Sequence, residues 1–498
     1  ALTRFLRMRE AGAEKQEIGA NHFQQTVRRD GSERFKMSDV IKLISPIDGS
    51  VYAERTALDD AAVDRVVSTA RTAQASWAAV PVAERVAYCL KALEALKAMN
   101  EEVVPELAWQ MGRPIRFGGE LGGTIERTEY CAKIAAEALA DVERTDKAGF
   151  KRYLRRVPLG IVMVIAPWNY PFMTAINTIM PALMAGNVVV LKHAAQTLLV
   201  GERLAKAFEI AGLPKGVFQN IVLTHQGTEK LLGSGLIDHV NFTGSVGGGR
   251  AIEKALAGTF ATLGLELGGK DPAYVRADAD LNYAVENLVD GAFYNAGQCC
   301  CGIERVYVHE SLYDRFVEGF VDLTSQYKLG NPLDEATTLG PMAQARFAAW
   351  IREQTEEALR KGAKAHIDTS KFEADKEGTP YLAPQVLTDV NHQMSVMREE
   401  SFGPVVGIMK VSSDEEAIDL MNDSEFGLTA SVWTHDEEAA IAIGDQVNTG
   451  TWFMNRCDYL DPALAWTGVK NSGRGCTLST VGYESLTRPK SYHLRTKI

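Results

Sequence analysis

The stretch 161–192, IVMVIAPWNYPFMTAINTIMPALMAGNVVVLK, decides the fold. IVMVIA (161–166) is a short apolar run closed by Pro167, residues 173–185 have helical spacing and stop at Gly186-Asn187, and VVVLK (188–192) is a second apolar strand. Two buried strands joined through a helix make a βαβ unit, and such a crossover places its strands in parallel. The alternation continues with a helix at 198–211, a strand at 218–223, a helix at 228–232 and a strand at 239–242. Repeated βα units with apolar strands predict a parallel sheet covered by helices on both faces.

Upstream, 61–99 and 124–146 are rich in Ala, Leu, Glu and Lys at helical spacing, with Pro81 the one internal proline, and read as surface-packed helices. Downstream, a second block opens near Gly268. DPAYV (271–275), RVYVHE (305–310), VVGIMKV (405–411), ASVWT (430–434) and TWFMN (451–455) read as strands of a second α/β domain. The tail LTRPKSYHLRTKI (486–498) alternates apolar and basic residues and reads as an edge strand that pairs elsewhere, including on another subunit.

At 498 residues the chain is far too long for a small binding module, and 46% apolar with 23% charged residues excludes a disordered scaffold. The formal charge of −11, without a local basic patch, argues against nucleic acid. No apolar run approaches the roughly 20 residues that span a bilayer, so no membrane span is expected. Seven cysteines, three of them adjacent, do not form a secreted disulfide pattern and point to a reducing, cytoplasmic compartment. Residues 1–36 carry RFLRMRE and TVRRDGSERFK, but Glu10, Glu14, Glu17, Asp30 and Glu33 argue against a transit peptide; they read as a non-functional N-terminal extension.

FYNAGQCCC (293–301) is the strongest chemical signal. A single Cys is most often a small buried hydrophobe, but three in a row after Gly297-Gln298 are not. Adjacent cysteines cannot all wrap one zinc ion, so no metal is expected. A nucleophilic thiol beside backbone amides fits better. None of the nine His sits in a thiol-protease motif, which weakens a Cys-His hydrolase without excluding it. Glu266, in GLELGGK (264–270), is the candidate base, because an apolar setting raises a carboxyl toward useful basicity. Taken alone, a Glu at a strand end is more often a solvated residue. FTGSVGGGR (242–250) joins a strand to a helix with glycines that free backbone N–H groups for a phosphate; inside a βα series this points to a dinucleotide site. Lys192 closes the second strand at the end where riboses lie in such sheets.

PWNYP (167–171), LK (191–192), FTGS (242–245), LELGGK (265–270), GQCC (297–300) and EESFGP (399–404), in that order, resemble the NAD(P)-dependent aldehyde dehydrogenase superfamily from about Ile44 to the C-terminus. The resemblance implies an α/β fold of two parallel-sheet domains, one Rossmann-like for the cofactor and one catalytic, plus a β-ribbon for oligomerisation. The implied boundaries are 37–149 with 158–267 for the dinucleotide domain, 268–475 for the catalytic domain, and 150–157 with 476–498 for the ribbon of a homodimer or homotetramer. It further implies that Cys300 is the nucleophile, with Cys299 and Cys301 beside it; that Asn169 and the Cys300 N–H stabilise the oxyanion; and that Glu266 activates water for thioester hydrolysis. Members that transfer the acyl group to coenzyme A typically lack that Glu, so the free acid is the implied product. Lys192 and Glu400 match ribose ligands, Ser245 a pyrophosphate ligand, and Ile165, Trp168, Gly244, Gly268 and Phe402 the rest of the cofactor cleft.

The pattern departs from the family at two places. Many NAD-preferring members carry a Glu three residues after the ribose Lys; here that position is Ala195, which removes one barrier to NADP and supplies no Arg for its phosphate. NAD is the expected cofactor, with NADP also admitted. The implied substrate tunnel includes Tyr170, Phe172, Met173, Thr174 and Asn177, then NRCDYLDPALAW (455–466) with Arg456, Asp458 and Tyr459. Asn177 stands where an aromatic is common, so a polar, semialdehyde-like or aromatic aldehyde is expected. Arg456 either meets a substrate carboxylate or pairs with Asp458, the pairing being the usual outcome for loop residues; Asp458 equally suits a cationic aminoaldehyde. A thiol hydrolase using Cys300 and Glu266 is the rival reading. A catalytically silent protein on this fold is disfavoured by the intact Cys300, Glu266, Asn169 and Lys192.

Overall fold

Strand order around Ile161–Ile165 locates the site. In the computed structural model, which describes residues 39–498, Ile161–Ile165 is flanked in parallel by Val188–Lys192 on one side and His239–Thr243 on the other. Phe218–Ile221 and Thr262–Glu266 lie outside these, also parallel, and Gly473–Arg474 closes the edge antiparallel to Thr262–Glu266. Chain order therefore reverses between Ile161–Ile165 and His239–Thr243. In open parallel sheets the ligand crevice lies outside the carboxyl ends of the strands at such a reversal. Ile165, Lys192, Thr243 and Glu266 are the last residues of four of these strands.

Ile161–Ile165 is buried throughout because helices pack against the sheet, among them Asp60–Ala79, Pro171–Ala185 and Leu198–Ile210. Pro171–Ala185 starts on a proline suited to the first helical position and ends where Gly186 takes a left-handed φ of 95°. A second sheet runs Lys364–Ala365, Gln385–Thr388, Val405–Val411, Ile303–His309, Asp271–Val275, Thr429–Trp433, Thr451–Met454, parallel except for its first strand. The two-sheet α/β class is thus the one the sequence predicts.

The 61–99 segment is two helices, Asp60–Ala79 and Val82–Ala98, since Pro81 interrupts the backbone ladder. The helix expected over 124–146 stops at Ala138, and Val142–Arg144 is a strand paired with Phe150–Pro158. Tertiary pairing overrides local helix propensity there; Arg155 grips Asp141 with two hydrogen bonds of 3.0 and 2.7 Å. The tail strand is Thr487–Arg495, antiparallel to Phe150–Pro158 along its whole length, with Tyr153 stacked on Tyr492 at 4.5 Å. Within 476–498, residues Ser479–Ser485 are helical and pack on Leu121–Ala138 and Pro171–Ala185. The hairpin Val40–Ile44 and Val51–Thr56 was not expected. The extension 1–36 lies outside the described residues. Among the described residues, no helix is long and apolar enough to cross a membrane.

Candidate active site

Helix Leu281–Phe293 ends in a reversal that carries the three thiols. Asn295, Ala296 and Gly297 take left-handed φ values of 54°, 56° and 69° in succession. Such conformations cost non-glycine residues about 1–3 kcal/mol each and persist only where surroundings over-determine them. Here Asn295 Nδ2 donates to the carbonyls of Asn169 and Gln298, both at 3.2 Å, and Gln298 Oε1 accepts the Ala343 N–H at 2.8 Å. A Cβ on residue 297 would meet the Gly403 carbonyl at 2.3 Å, so only glycine fits.

Cys299, Cys300 and Cys301 all line a cavity of about 910 Å³. Cys299 and Cys301 are buried with sulfurs 3.5 Å apart, whereas Cys300 is partly exposed to the cavity. S–H donation from Cys300 and Cys301 holds the Cys299 thiol well below its ordinary range, and the same coupling pushes Cys300 and Cys301 up. The triplet thus favours one thiolate, shared with S–H neighbours, and opposes a second.

Asn169 and Glu266 line the same cavity. Asn169 is buried, its Nδ2 3.2 Å from the Gln298 carbonyl and its own carbonyl receiving Arg113 Nη2 at 2.6 Å. Arg113 in turn pairs at 2.6 Å with the buried Glu120, whose other oxygen accepts the N–H groups of Phe172 and Met173 at 3.0 and 2.9 Å. A carboxylate on the first turn of Pro171–Ala185 suits the positive end of that helix. Glu266 receives Thr477 Oγ1 at 2.6 Å on one oxygen and Thr243 Oγ1 at 3.0 Å on the other. Burial pushes its carboxyl up; the two hydroxyls and Arg127 oppose that shift.

The nucleotide end fits a dinucleotide. Lys192 lines the cavity with its ammonium bonded to no group of the described residues, and burial lowers its pKa. Ser245 caps helix Val246–Leu256, accepting the Gly248 N–H at 3.1 Å, so the freed N–H groups of that first turn suit a phosphate. The Glu400 carboxyl accepts, among the described residues, the Gly269 N–H alone, at 3.0 Å, and burial, aided by Glu304, pushes it up to about 8. A Cβ on residue 268 would lie 2.2 Å from Glu400 Oε1, and one on residue 244 would lie 2.7 Å from the Phe242 ring. Trp168 stacks on Phe347 at 5.4 Å and meets Phe402 edge-on at 5.6 Å, and Ile165 completes this wall. Ala195 is exposed and outside the cavity wall, where Ala194 stands instead.

Tyr170, Met173 and Asp458 line the other end. Tyr170 lies 4.8 Å from the Arg113 guanidinium. Asn177 is buried behind this wall beside a smaller cavity, its Oδ1 receiving Arg127 Nη1 at 3.2 Å. The expected Arg456–Asp458 ion pair is absent among the described residues. Arg456 instead lies 3.5 Å over the Tyr459 ring, whose hydroxyl bonds Glu126. Asp458, at a left-handed φ of 49°, joins the cavity wall, where burial, Cys299 and Asp290 push its carboxyl up to about 8. Arg456 and Tyr459 stay outside the wall.

Arg113, Glu120, Arg127, Thr243 and Thr477 escape the reading by motif. Thr243 sits inside FTGS and was within reach; the others come together through contacts between residues far apart in sequence.

The fold is that of a doubly wound, nucleotide-binding oxidoreductase. Residues 35–492 match the aldehyde dehydrogenase family, and the chain belongs to that family. Vanillin dehydrogenase of Corynebacterium glutamicum is 35% identical over 444 residues, covering 87% of this chain and 89% of that protein. An NADP-dependent succinate-semialdehyde dehydrogenase of Mycobacterium avium is 32% identical, covering 91% of this chain and 96% of its own. The solved structure of an NAD-dependent aldehyde dehydrogenase from Sinorhizobium meliloti superposes with a TM-score of 0.87 at 31% identity, covering 92% of each chain.

Proposed function

We propose that the protein oxidises a polar or aromatic aldehyde to the free carboxylic acid with NAD or NADP. The observation that carries this reading is that Cys300, Asn169 and Glu266 share one cavity wall with Lys192, Ser245 and Glu400. In this reading the Cys300 sulfur adds to the carbonyl carbon, and the Asn169 amide with the Cys300 N–H holds the oxygen as it gains charge. Each such donor contributes about 2.7–4 kcal/mol when aimed at the developing oxyanion. Lys192, Ser245, Gly244, Gly268, Glu400, Phe402, Trp168 and Ile165 would hold a nicotinamide dinucleotide, which when bound would supply the hydride acceptor needed to take the Cys300 adduct to the thioester. Glu266 takes a proton from water, the hydroxide adds to the thioester carbon, and Cys300 departs as the thiolate as the acid is released.

The presence of Glu266 favours hydrolysis over transfer to coenzyme A. The absence of a carboxylate at Ala195 supports use of either dinucleotide, in line with relatives named for NAD and for NADP. A division into dinucleotide, catalytic and ribbon parts, with Val142–Arg144 joining the ribbon and Gly473–Arg474 the first sheet, a ribbon-mediated dimer or tetramer and a cytoplasmic location complete the proposal; all seven cysteines are free, in keeping with a reducing compartment. Denaturing mass spectrometry of the Glu266→Gln enzyme mixed with aldehyde and cofactor tests the sequence of steps. An acyl adduct on the peptide holding Cys300 is expected; turnover with no adduct on any cysteine would overturn it.

A further inference from the structure

Among the described residues, Arg127 is a part-buried cation at the aldehyde end with no direct carboxylate partner. It projects from helix Leu121–Ala138 and lines both the main cavity and the smaller one beside it. Its Nη1 donates to the Met173 carbonyl at 3.0 Å and to Asn177 Oδ1 at 3.2 Å. Both acceptors are neutral, and no carboxylate of the described residues forms an ion pair with it. Nε and Nη2, which carry three further N–H donors, bond no atom of the described residues. Arg113, close by on the same wall, is neutralised by Glu120 at 2.6 Å. Glu120 and Glu266 act on this part-buried guanidinium only through space, so its remaining donors stay open to the cavity for an anion brought by the ligand. Its planar fork suits the two oxygens of a carboxylate or phosphate.

The remaining charges at this end are compatible with an anionic ligand. Glu266 has both oxygens occupied by threonine hydroxyls. Glu120 is taken up by Arg113, and Asp458, another carboxyl of the cavity wall, is displaced toward its neutral form. Arg456, which the sequence offers for a substrate carboxylate, is engaged with Tyr459 outside the wall.

We propose that Arg127 recognises a compact oxyanion on the substrate, so that the preferred aldehydes carry a carboxylate or phosphate away from the carbonyl. The proposal rests on the aldehyde-oxidising reading above and narrows its substrate class. The test compares matched pairs: succinic semialdehyde against its methyl ester, and glyceraldehyde 3-phosphate against glyceraldehyde, each with wild type, Arg127→Met and Arg127→Lys. Wild type is expected to favour at least one anionic member by tenfold or more in kcat/KM. In Arg127→Met that anion-over-neutral ratio should fall about 100-fold, mostly through KM, because a buried charge contact is lost, and Arg127→Lys should restore part of it. Which pair responds separates carboxylate from phosphate.

A second readout is free of turnover: succinate or inorganic phosphate should slow iodoacetamide alkylation of Cys300 in wild type and not in Arg127→Met. If Arg127→Met depresses both members of every pair equally, Arg127 serves the thiol and Glu266 rather than the substrate, and the proposal is overturned. Oxidation of the neutral aldehydes with no preference for the anions would overturn it while leaving aldehyde oxidation standing. Oxidation of neither member, with either dinucleotide, would overturn both.

Discussion

Cys300 is the least buried member of the cysteine triplet, with Cys299 held down by its S–H neighbours, and this separates the roles of three chemically identical residues. Cys300→Ser should lower kcat by at least about 10³-fold, as for the loss of a nucleophile, whereas Cys299→Ser should retain turnover and shift the pH dependence of Cys300 alkylation; steady-state kinetics with iodoacetamide titration decides. Burial raises the Glu266 carboxyl, so the base is protonated, and hydrolysis slows, as pH falls through that raised value. Wild-type kcat should therefore show an acid limb above the ordinary carboxylate range. Glu266→Gln should abolish the limb and cut kcat about 10²–10⁴-fold while leaving a burst of reduced cofactor. An unchanged limb in that variant would assign it to another group. Glu400, pushed up to about 8, gains its charge as pH rises. The KM for cofactor should then fall between about pH 7 and 9 in wild type and stay flat in Glu400→Gln.

At the scale of elements, the site depends on helix ends and on a buried ion pair. Glu120 caps the first turn of Pro171–Ala185 while neutralising Arg113, and Arg113 holds the Asn169 carbonyl. Replacing Arg113 with Met strands the Glu120 charge, which should cost about 3–5 kcal/mol and lower kcat through Asn169. Calorimetry and kinetics on the same sample check both, and a stable variant with normal kcat would contradict the assignment. Motif spacing made the strand ends legible: Lys192, Ser245 and Glu266 lie where the βα series places them. The Arg113–Glu120–Asn169 chain was not legible, because its members meet only when Leu121–Ala138 packs on Pro171–Ala185. Val142–Arg144 was read as helix for a related reason, its strand character coming from pairing with Phe150–Pro158.

Across the whole molecule, among the described residues, the first parallel sheet presents the carboxyl ends of its strands, and the second the segments that lead into its strands (Gly268, Cys299–Cys301 and Glu400–Phe402), to one cavity; the short strand Gly473–Arg474 returns to Thr262–Glu266 after the second sheet is complete. That return brings Thr477 to Glu266 and made its environment invisible to a reading confined to GLELGGK. The tail was readable as an edge strand, since TRPKSYHLR alternates, although its partner Phe150–Pro158 lies more than 300 residues away. Among the described residues Thr487–Arg495 pairs on one side, as an outer strand suited to joining another copy. Light scattering should give a mass twice or four times that of the chain; a monomer at micromolar concentration would contradict the ribbon's role. Aldehyde oxidation through Cys300 is decided by following reduction of NAD and NADP by the purified protein with an aldehyde panel, alongside Cys300→Ala, and identifying the product. Cofactor reduction that matches the free acid formed and disappears in Cys300→Ala is the predicted result. Reduction that survives in Cys300→Ala, or ester hydrolysis that needs Cys300 with no cofactor reduced across the panel, would contradict it.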